Sequence, residues 1–146
     1  MPTLSADEWI SLGSGLVTAV GVWVVWHQTG KISKQLKLQN YSDYTKRYQE
    51  IILNFPEDVN EQEFILVGRD DYKKTMRYMR AYFDMCYEEW HLHTRGLMDD
   101  ETWSVWRDGM KTAFSKPAFK QAWEIVCKDQ KFGSKFESFV ANLEHA

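Results

Sequence analysis

Cysteine is scarce in this sequence: of 146 residues only Cys86 and Cys127 are cysteines, and they lie far apart. This excludes a disulfide framework and a zinc site built from cysteines, so we expect two buried, reduced thiols. Proline and glycine are also few, at 3 and 8 residues, which excludes a collagen-like or low-complexity chain. With 18 basic against 21 acidic side chains, no excess positive charge favours nucleic acid as a partner.

The sequence also lacks the common catalytic motifs. It has no glycine-rich phosphate loop and no Gly-x-Ser-x-Gly nucleophile elbow. No long stretch alternates apolar and polar residues with the period of two that marks a strand. We therefore expect an all-α chain with one domain's worth of core, no catalytic residues and no cofactor.

One segment is strongly apolar, although the mean hydropathy of the whole chain is −0.51. Residues 9–26 (WISLGSGLVTAVGVWVVW) contain no charged side chain. As a helix they would extend about 27 Å, close to the roughly 30 Å hydrocarbon core of a bilayer. The pattern predicts a transmembrane helix over residues 9–29 after a short tail, 1–8, with Trp9, Trp23 and Trp26 at the membrane interfaces.

The flanking charges predict the orientation of this helix. Asp7 and Glu8 precede it without any basic residue, whereas Lys31, Lys34 and Lys37 follow it. Because basic residues are retained on the cytoplasmic side, we expect the N-terminus outside and the remaining chain in the cytoplasm, with an uncleaved anchor in a bacterial inner membrane. The three lysines are then interface residues as well.

Small residues within this segment suggest contacts inside the membrane. Ser14 with Thr18, and Gly15 with Ala19, form two small-xxx-small pairs that allow close helix packing. They predict self-association or docking on another membrane protein. An alternative interpretation is a soluble bundle in which residues 9–26 form a buried core helix.

The rest of the chain reads as helical. Residues 30–55 form a predicted juxtamembrane amphipathic helix ended by Pro56, and residues 56–146 form a predicted cytoplasmic helical domain that begins with a loop, 56–68, containing room for one helical turn. The strongest periodicity predicts a central helix, 70–94, capped by Asp70 and stopped at Gly96. Its apolar seam consists of Tyr72, Met76, Met79, Phe83, Cys86 and Trp90.

Three further helix starts are indicated. Asp99 or Asp100 can cap one helix, Ser115 with Pro117 can begin the next, and Ser134 with Glu137 has the spacing of a capping box. Together with the earlier segments they predict a bundle of four or five helices.

Residues 82–123 (YFDMCYEEWHLHTRGLMDDETWSVWRDGMKTAFSKPAFKQAW) carry a resemblance. The order of an aromatic-rich helix, Glu-Glu, Gly, an acidic cap, Trp-x-x-Trp, Pro-Ala-Phe and Trp resembles uncharacterised bacterial and phage-borne single-span membrane proteins with a C-terminal helical domain. It covers about residues 78–123 and implies architecture and compartment only.

A single Glu-x-x-His pair, Glu88 and His91, has the spacing of a metal ligand pair on a helix. A di-iron site needs a second copy, which the sequence does not contain, so these two are candidates for a metal only under an alternative function. Beside them runs a charged stripe in which Arg80 and Asp84 can form an ion pair.

Four tryptophans of the helical domain are candidates for partner docking, or else for the core: Trp90, Trp103, Trp106 and Trp123. The sequence therefore predicts a non-catalytic, membrane-anchored accessory, scaffold or regulatory protein that binds a membrane or cytosolic protein. The alternative is a membrane-tethered helical enzyme or metal-dependent sensor that uses Glu88 and His91.

Overall fold

The computed structural model describes residues 39 and 41–143, which belong to two compact units that divide between Lys46 and Arg47. In the first unit, residues 39 and 41–46 are helical. The predicted membrane segment, 9–29, lies outside the described residues. So do all residues assigned to the membrane interface or to packing within the membrane, namely Trp9, Trp23, Trp26, Lys31, Lys34, Lys37, Ser14, Gly15, Thr18 and Ala19. Among the described helices, none combines the length and the apolar character that a membrane crossing requires.

The described part of the second unit is built from helices, which confirms the all-α prediction. Residues 47–52 are helical (α1), and a single 3-10 turn, Glu57–Asn60, follows in the predicted loop. Four longer helices complete the unit: α2 Tyr72–Thr94, α3 Asp100–Phe114, α4 Pro117–Asp129 and α5 Ser134–Asn142. Between residues 47 and 143 the structure contains no strand.

The central helix, α2, ends as predicted but begins differently. Gly96 takes a positive φ of 67°, and its N–H donates to the His93 carbonyl at 2.9 Å. The Leu97 N–H donates to the Leu92 carbonyl at 2.9 Å, which completes a Schellman motif. The predicted Asp70 cap is wrong, because Asp71 occupies the N-cap position and makes no side-chain bond to the helix backbone.

The start of α3 is confirmed and the predicted role of Ser115 is not. The Asp99 Oδ1 atom accepts the Thr102 N–H at 2.9 Å, so Asp99 rather than Asp100 is the cap. Pro117 begins α4, as its missing N–H favours. Ser115 instead closes α3, since its hydroxyl donates to the Thr112 carbonyl at 2.7 Å.

The predicted capping box at α5 is wrong. Ser134 is already the first helical residue, and Gly133 holds the N-cap position with a φ of 90° that disfavours other residues. Glu137 still turns back, but its Oε1 accepts the Phe132 N–H at 3.3 Å rather than the N–H of Ser134. The N-cap therefore lies one position before the predicted one.

Helix α2 packs against both α3 and α4, and these two also contact each other. The predicted seam is buried at Met76, Met79, Phe83 and Cys86, and half-buried at its two ends. Tyr82, Met85 and Glu89 are also buried, so more than one face of α2 is covered. A single apolar seam is enough to pack against one neighbouring helix, whereas α2 packs against more than one.

A short extended segment, residues 64–67, lies against α4, is held there by one side chain, and ends in the turn that Val67 and Gly68 form. The Gln121 Oε1 atom accepts the Leu66 N–H at 2.9 Å, and its Nε2 donates to the Phe64 carbonyl at 3.0 Å. The side chains alternate, with Phe64 and Leu66 buried at 4% and 0% exposure and Ile65 and Val67 exposed at 67% and 65%. The Gln121 carboxamide thus takes the place of a neighbouring strand along one edge.

Arg69 fixes the chain just after this segment. Its guanidinium donates to both carboxylate oxygens of Asp58, at 2.7 and 3.1 Å, and to those of Asp71, at 2.8 and 3.3 Å. The guanidinium carbon also lies 4.7 Å from the centre of the Phe64 ring. These bonds hold the pKa of Arg69 above its usual value and that of Asp71 below it. The 3-10 turn, the extended segment and the start of α2 are therefore tied together.

We expect Gln121→Ala to lower the free energy of unfolding by about 1 to 3 kcal/mol, because the Leu66 N–H and the Phe64 carbonyl lose their partner in a partly buried position. Urea unfolding followed by circular dichroism measures the change. Glu124→Ala, at an exposed position on the same helix, is the control and should change stability by less than about 0.5 kcal/mol. Equal losses in both variants would contradict the role assigned to Gln121.

Candidate functional site

The aromatic side chains converge on Phe136, which is fully buried. Its ring centre lies 5.4 Å from those of Tyr87 and Trp90 and 6.0 Å from that of Trp123. Trp123 also meets the ring of Phe83 edge-on at 5.1 Å. Two of the four candidate docking tryptophans, Trp90 and Trp123, therefore contribute to the core.

The other two tryptophans lie on α3. Trp103 is only 7% exposed, and its ring stacks on that of His93 at 4.6 Å with an interplanar angle of 6°. Trp106 is half-buried. A docking role for the four residues stays a prediction, and their packing shows that Trp90, Trp103 and Trp123 also serve the fold.

We expect Phe136→Ala to destabilise the domain by about 3 to 5 kcal/mol, since it removes the ring at the centre of the aromatic cluster and leaves a cavity. Val105→Ala is the matched control, because that side chain is 63% exposed and its loss should change stability by less than about 0.5 kcal/mol. Thermal and urea unfolding measure both. Similar small effects would show that the cluster does not support the fold.

The candidate metal pair is split between two separate contacts. The Glu88 carboxylate accepts both hydrogen bonds of the Arg47 guanidinium, whereas the His91 ring stacks on Tyr87 with 6.0 Å between centres. Within residues 41–143, no three side chains of His, Cys, Asp and Glu come together in an arrangement suited to a metal ion. The structure thus places Glu88 in an ion pair and His91 in a ring stack.

The charged stripe of α2 is arranged differently from the prediction. Arg80 lies 3.5 Å from Asp129 on α4, and Asp84 accepts a 2.7 Å hydrogen bond from the Gln130 side chain. The expected Arg80–Asp84 pair is therefore wrong, because both side chains bind the end of α4 instead. A shallow groove of about 500 Å³ runs along this face. Its lining residues are Tyr72, Lys73, Met76, Arg77, Arg80, Ala81 and Asp84.

Glu89 is the buried ionisable group that sequence reasoning missed, having considered its neighbour Glu88 instead. The side chain is 6% exposed, and burial raises its pKa to about 8, against a smaller opposing effect of Arg47. Tyr82 and Cys86 lie on the same face, and burial raises the pKa of each. The sequence does contain a signal for this burial: Tyr82, Cys86 and Glu89 are spaced by four and three residues, which places Glu89 on the same helical face as two apolar side chains.

We expect Glu89→Gln to stabilise the protein at alkaline pH and to have little effect near pH 4. Glu89 has an ordinary pKa of 4.5 and a folded pKa of about 8. Between these values the unfolded chain ionises while the folded one holds its proton, so the free energy of unfolding falls as pH rises. The gain from Gln should therefore grow to a few kcal/mol, at most about 1.4 kcal/mol per pKa unit, and then level off.

Urea unfolding at a series of pH values measures this difference. Glu88→Gln is the adjacent control, and loss of its partly exposed ion pair should cost no more than about 1 kcal/mol. A gain from Glu89→Gln that does not vary with pH would contradict the assignment of the raised pKa.

Large aliphatic side chains remain on the surface of this closed domain. Five are at least 63% exposed: Leu53, Ile65, Val67, Leu97 and Val105. Ile65 and Val67 are neighbours on one face of the extended segment, whose opposite face supplies Phe64 and Leu66 to the core. They lie side by side on a segment whose backbone is bound by Gln121.

Comparison with known proteins adds no relative: the chain matches no family model, no curated protein and no solved structure at a significant level.

Proposed function

We propose that the protein is a non-catalytic, membrane-anchored accessory protein whose helical domain binds another protein. Residues 9–29 would anchor it in a bacterial inner membrane with the N-terminus outside, and residues 56–146 would lie in the cytoplasm. The uncharged run over residues 9–26 and the lysines that follow it support the anchor and its orientation.

The observation that carries the binding role is the exposure of five aliphatic side chains on a domain that buries most of its other large apolar residues: Leu53, Ile65, Val67, Leu97 and Val105. Single exposed aliphatic residues are common on soluble domains. Here Ile65 and Val67 lie side by side on a segment that Gln121 and Arg69 already hold in place. Binding a partner there therefore requires little loss of conformational entropy from this segment.

Carbonate extraction and protease treatment of spheroplasts test the anchor. An integral span should stay with the lipid fraction, and the helical domain should resist external protease until the cells are lysed. Release into the aqueous fraction would instead favour the soluble bundle in which residues 9–26 form a core helix.

Site-specific photo-crosslinking in cells tests the binding role. A photoreactive amino acid placed separately at Leu53, Ile65, Val67, Leu97 and Val105 should yield a discrete adduct with a protein at one or more positions. Lys128, exposed on α4, is the control position and should give none. No adduct at any of the five positions would contradict the proposal.

A further inference from the structure

The extended segment 64–67 has one occupied edge and one open edge. Gln121 binds the Phe64 carbonyl and the Leu66 N–H on the first. Ile65 and Val67 form no hydrogen bond with any other residue in the described part of the chain. Because successive peptide groups of an extended chain point to opposite sides, the N–H and C=O groups of Ile65 lie on the second edge. The Val67 N–H follows on the same edge, just before the chain turns at Val67 and Gly68.

This open edge has the spacing that an antiparallel partner needs. Ile65 can exchange an N–H and a C=O hydrogen bond with the facing residue of an added strand, and the Val67 N–H can donate to the residue two positions further along that strand. The added strand would run beside the Ile65 and Val67 side chains, which are 67% and 65% exposed and would form apolar cross-strand pairs. Gly68, with a φ of 93°, turns the chain immediately afterwards, so the edge is short.

The charge around the edge indicates the chemistry of its partner. Residues 57–71 (EDVNEQEFILVGRDD) contain six carboxylates and one basic residue, Arg69. Arg69 is already engaged by Asp58 and Asp71, whereas Glu57, Glu61 and Glu63 are exposed. A basic strand would therefore be attracted and an acidic one repelled.

We propose that the edge at Ile65 and Val67 binds an extended peptide segment of a partner protein in which lysine or arginine alternates with aliphatic residues. The segment adds to residues 64–67 as an antiparallel strand. This inference rests on the proposed binding function and names the partner's chemistry. Strand addition of this kind obtains affinity from main-chain bonds and selectivity from alternate side chains.

The test uses the full chain in an uncharged detergent and a short fluorescent peptide of alternating lysine and valine, with binding followed by anisotropy. We expect saturable binding. The same peptide with glutamate in place of lysine should not bind. A lysine–valine peptide with N-methyl groups on the residues that face Ile65 should lose at least about tenfold in affinity, since it lacks the backbone donors for strand addition.

Two matched variants examine the edge from the protein side. Ile65→Pro removes an N–H that the fold does not use and should weaken binding by at least about tenfold. Ile65→Ser with Val67→Ser keeps the backbone and should weaken binding through loss of the apolar pairs. Gly109→Ser, at an exposed position on α3 where an added side chain meets no neighbour, should leave binding unchanged, and circular dichroism confirms that each variant is folded.

Absence of binding to the lysine–valine peptide would overturn the inference. Binding that N-methylation leaves unaffected would also overturn it, because general attraction to the acidic loop would then explain the result. This second readout does not depend on the folding of Ile65→Pro. If the peptide fails while photo-crosslinks form at Leu53, Leu97 or Val105, the edge assignment is wrong and the proposed binding function stands.

Discussion

Burial of α2 on more than one face is the constraint on which the rest of the domain depends. Phe83 and Met79 are fully buried, as is Cys86, and the half-buried Trp90 contacts α5 through Phe136. A single helix cannot exclude water from so wide a surface, so α3, α4 and the end of the chain must all pack against it. Within residues 47–143, many aromatic side chains pack around this helix, where burial of their large area contributes most to stability.

The same constraint explains why polar groups enter the core. Once several faces are covered, continuing the face of Tyr82 and Cys86 by one turn brings Glu89 inside. A carboxyl in that position is held protonated over much of the neutral range, which avoids an uncompensated buried charge. Burial of this carboxyl makes the stability of the domain depend on pH. The positive charge of Arg47, which is paired with Glu88, lowers the pKa of Glu89 by less than burial raises it.

Much of the helical pattern could be predicted from the sequence, because helix ends use local signals. Gly96, Asp99 and Pro117 mark the ends where local chemistry predicts them. The exact N-cap residue was predicted wrongly at two helices, because an adjacent residue occupies the position. Asp71 replaces Asp70 at α2, and Gly133 replaces Ser134 at α5. The loop around Leu66 could not be predicted, because its backbone partner is the side chain of Gln121, more than fifty residues away. The role of Glu88 was likewise set by a distant residue, Arg47.

The central claim is that residues 64–67 form a short extended segment with one edge held by Gln121 and the other open. Amide hydrogen exchange at single-residue resolution tests this most directly. We predict that the Leu66 amide exchanges slowly and that the Ile65 and Val67 amides exchange at rates close to those of a solvated chain. Equal protection of all three would show that the outer edge is already paired, and equal exposure would show that Gln121 does not hold the segment; either result would contradict the account.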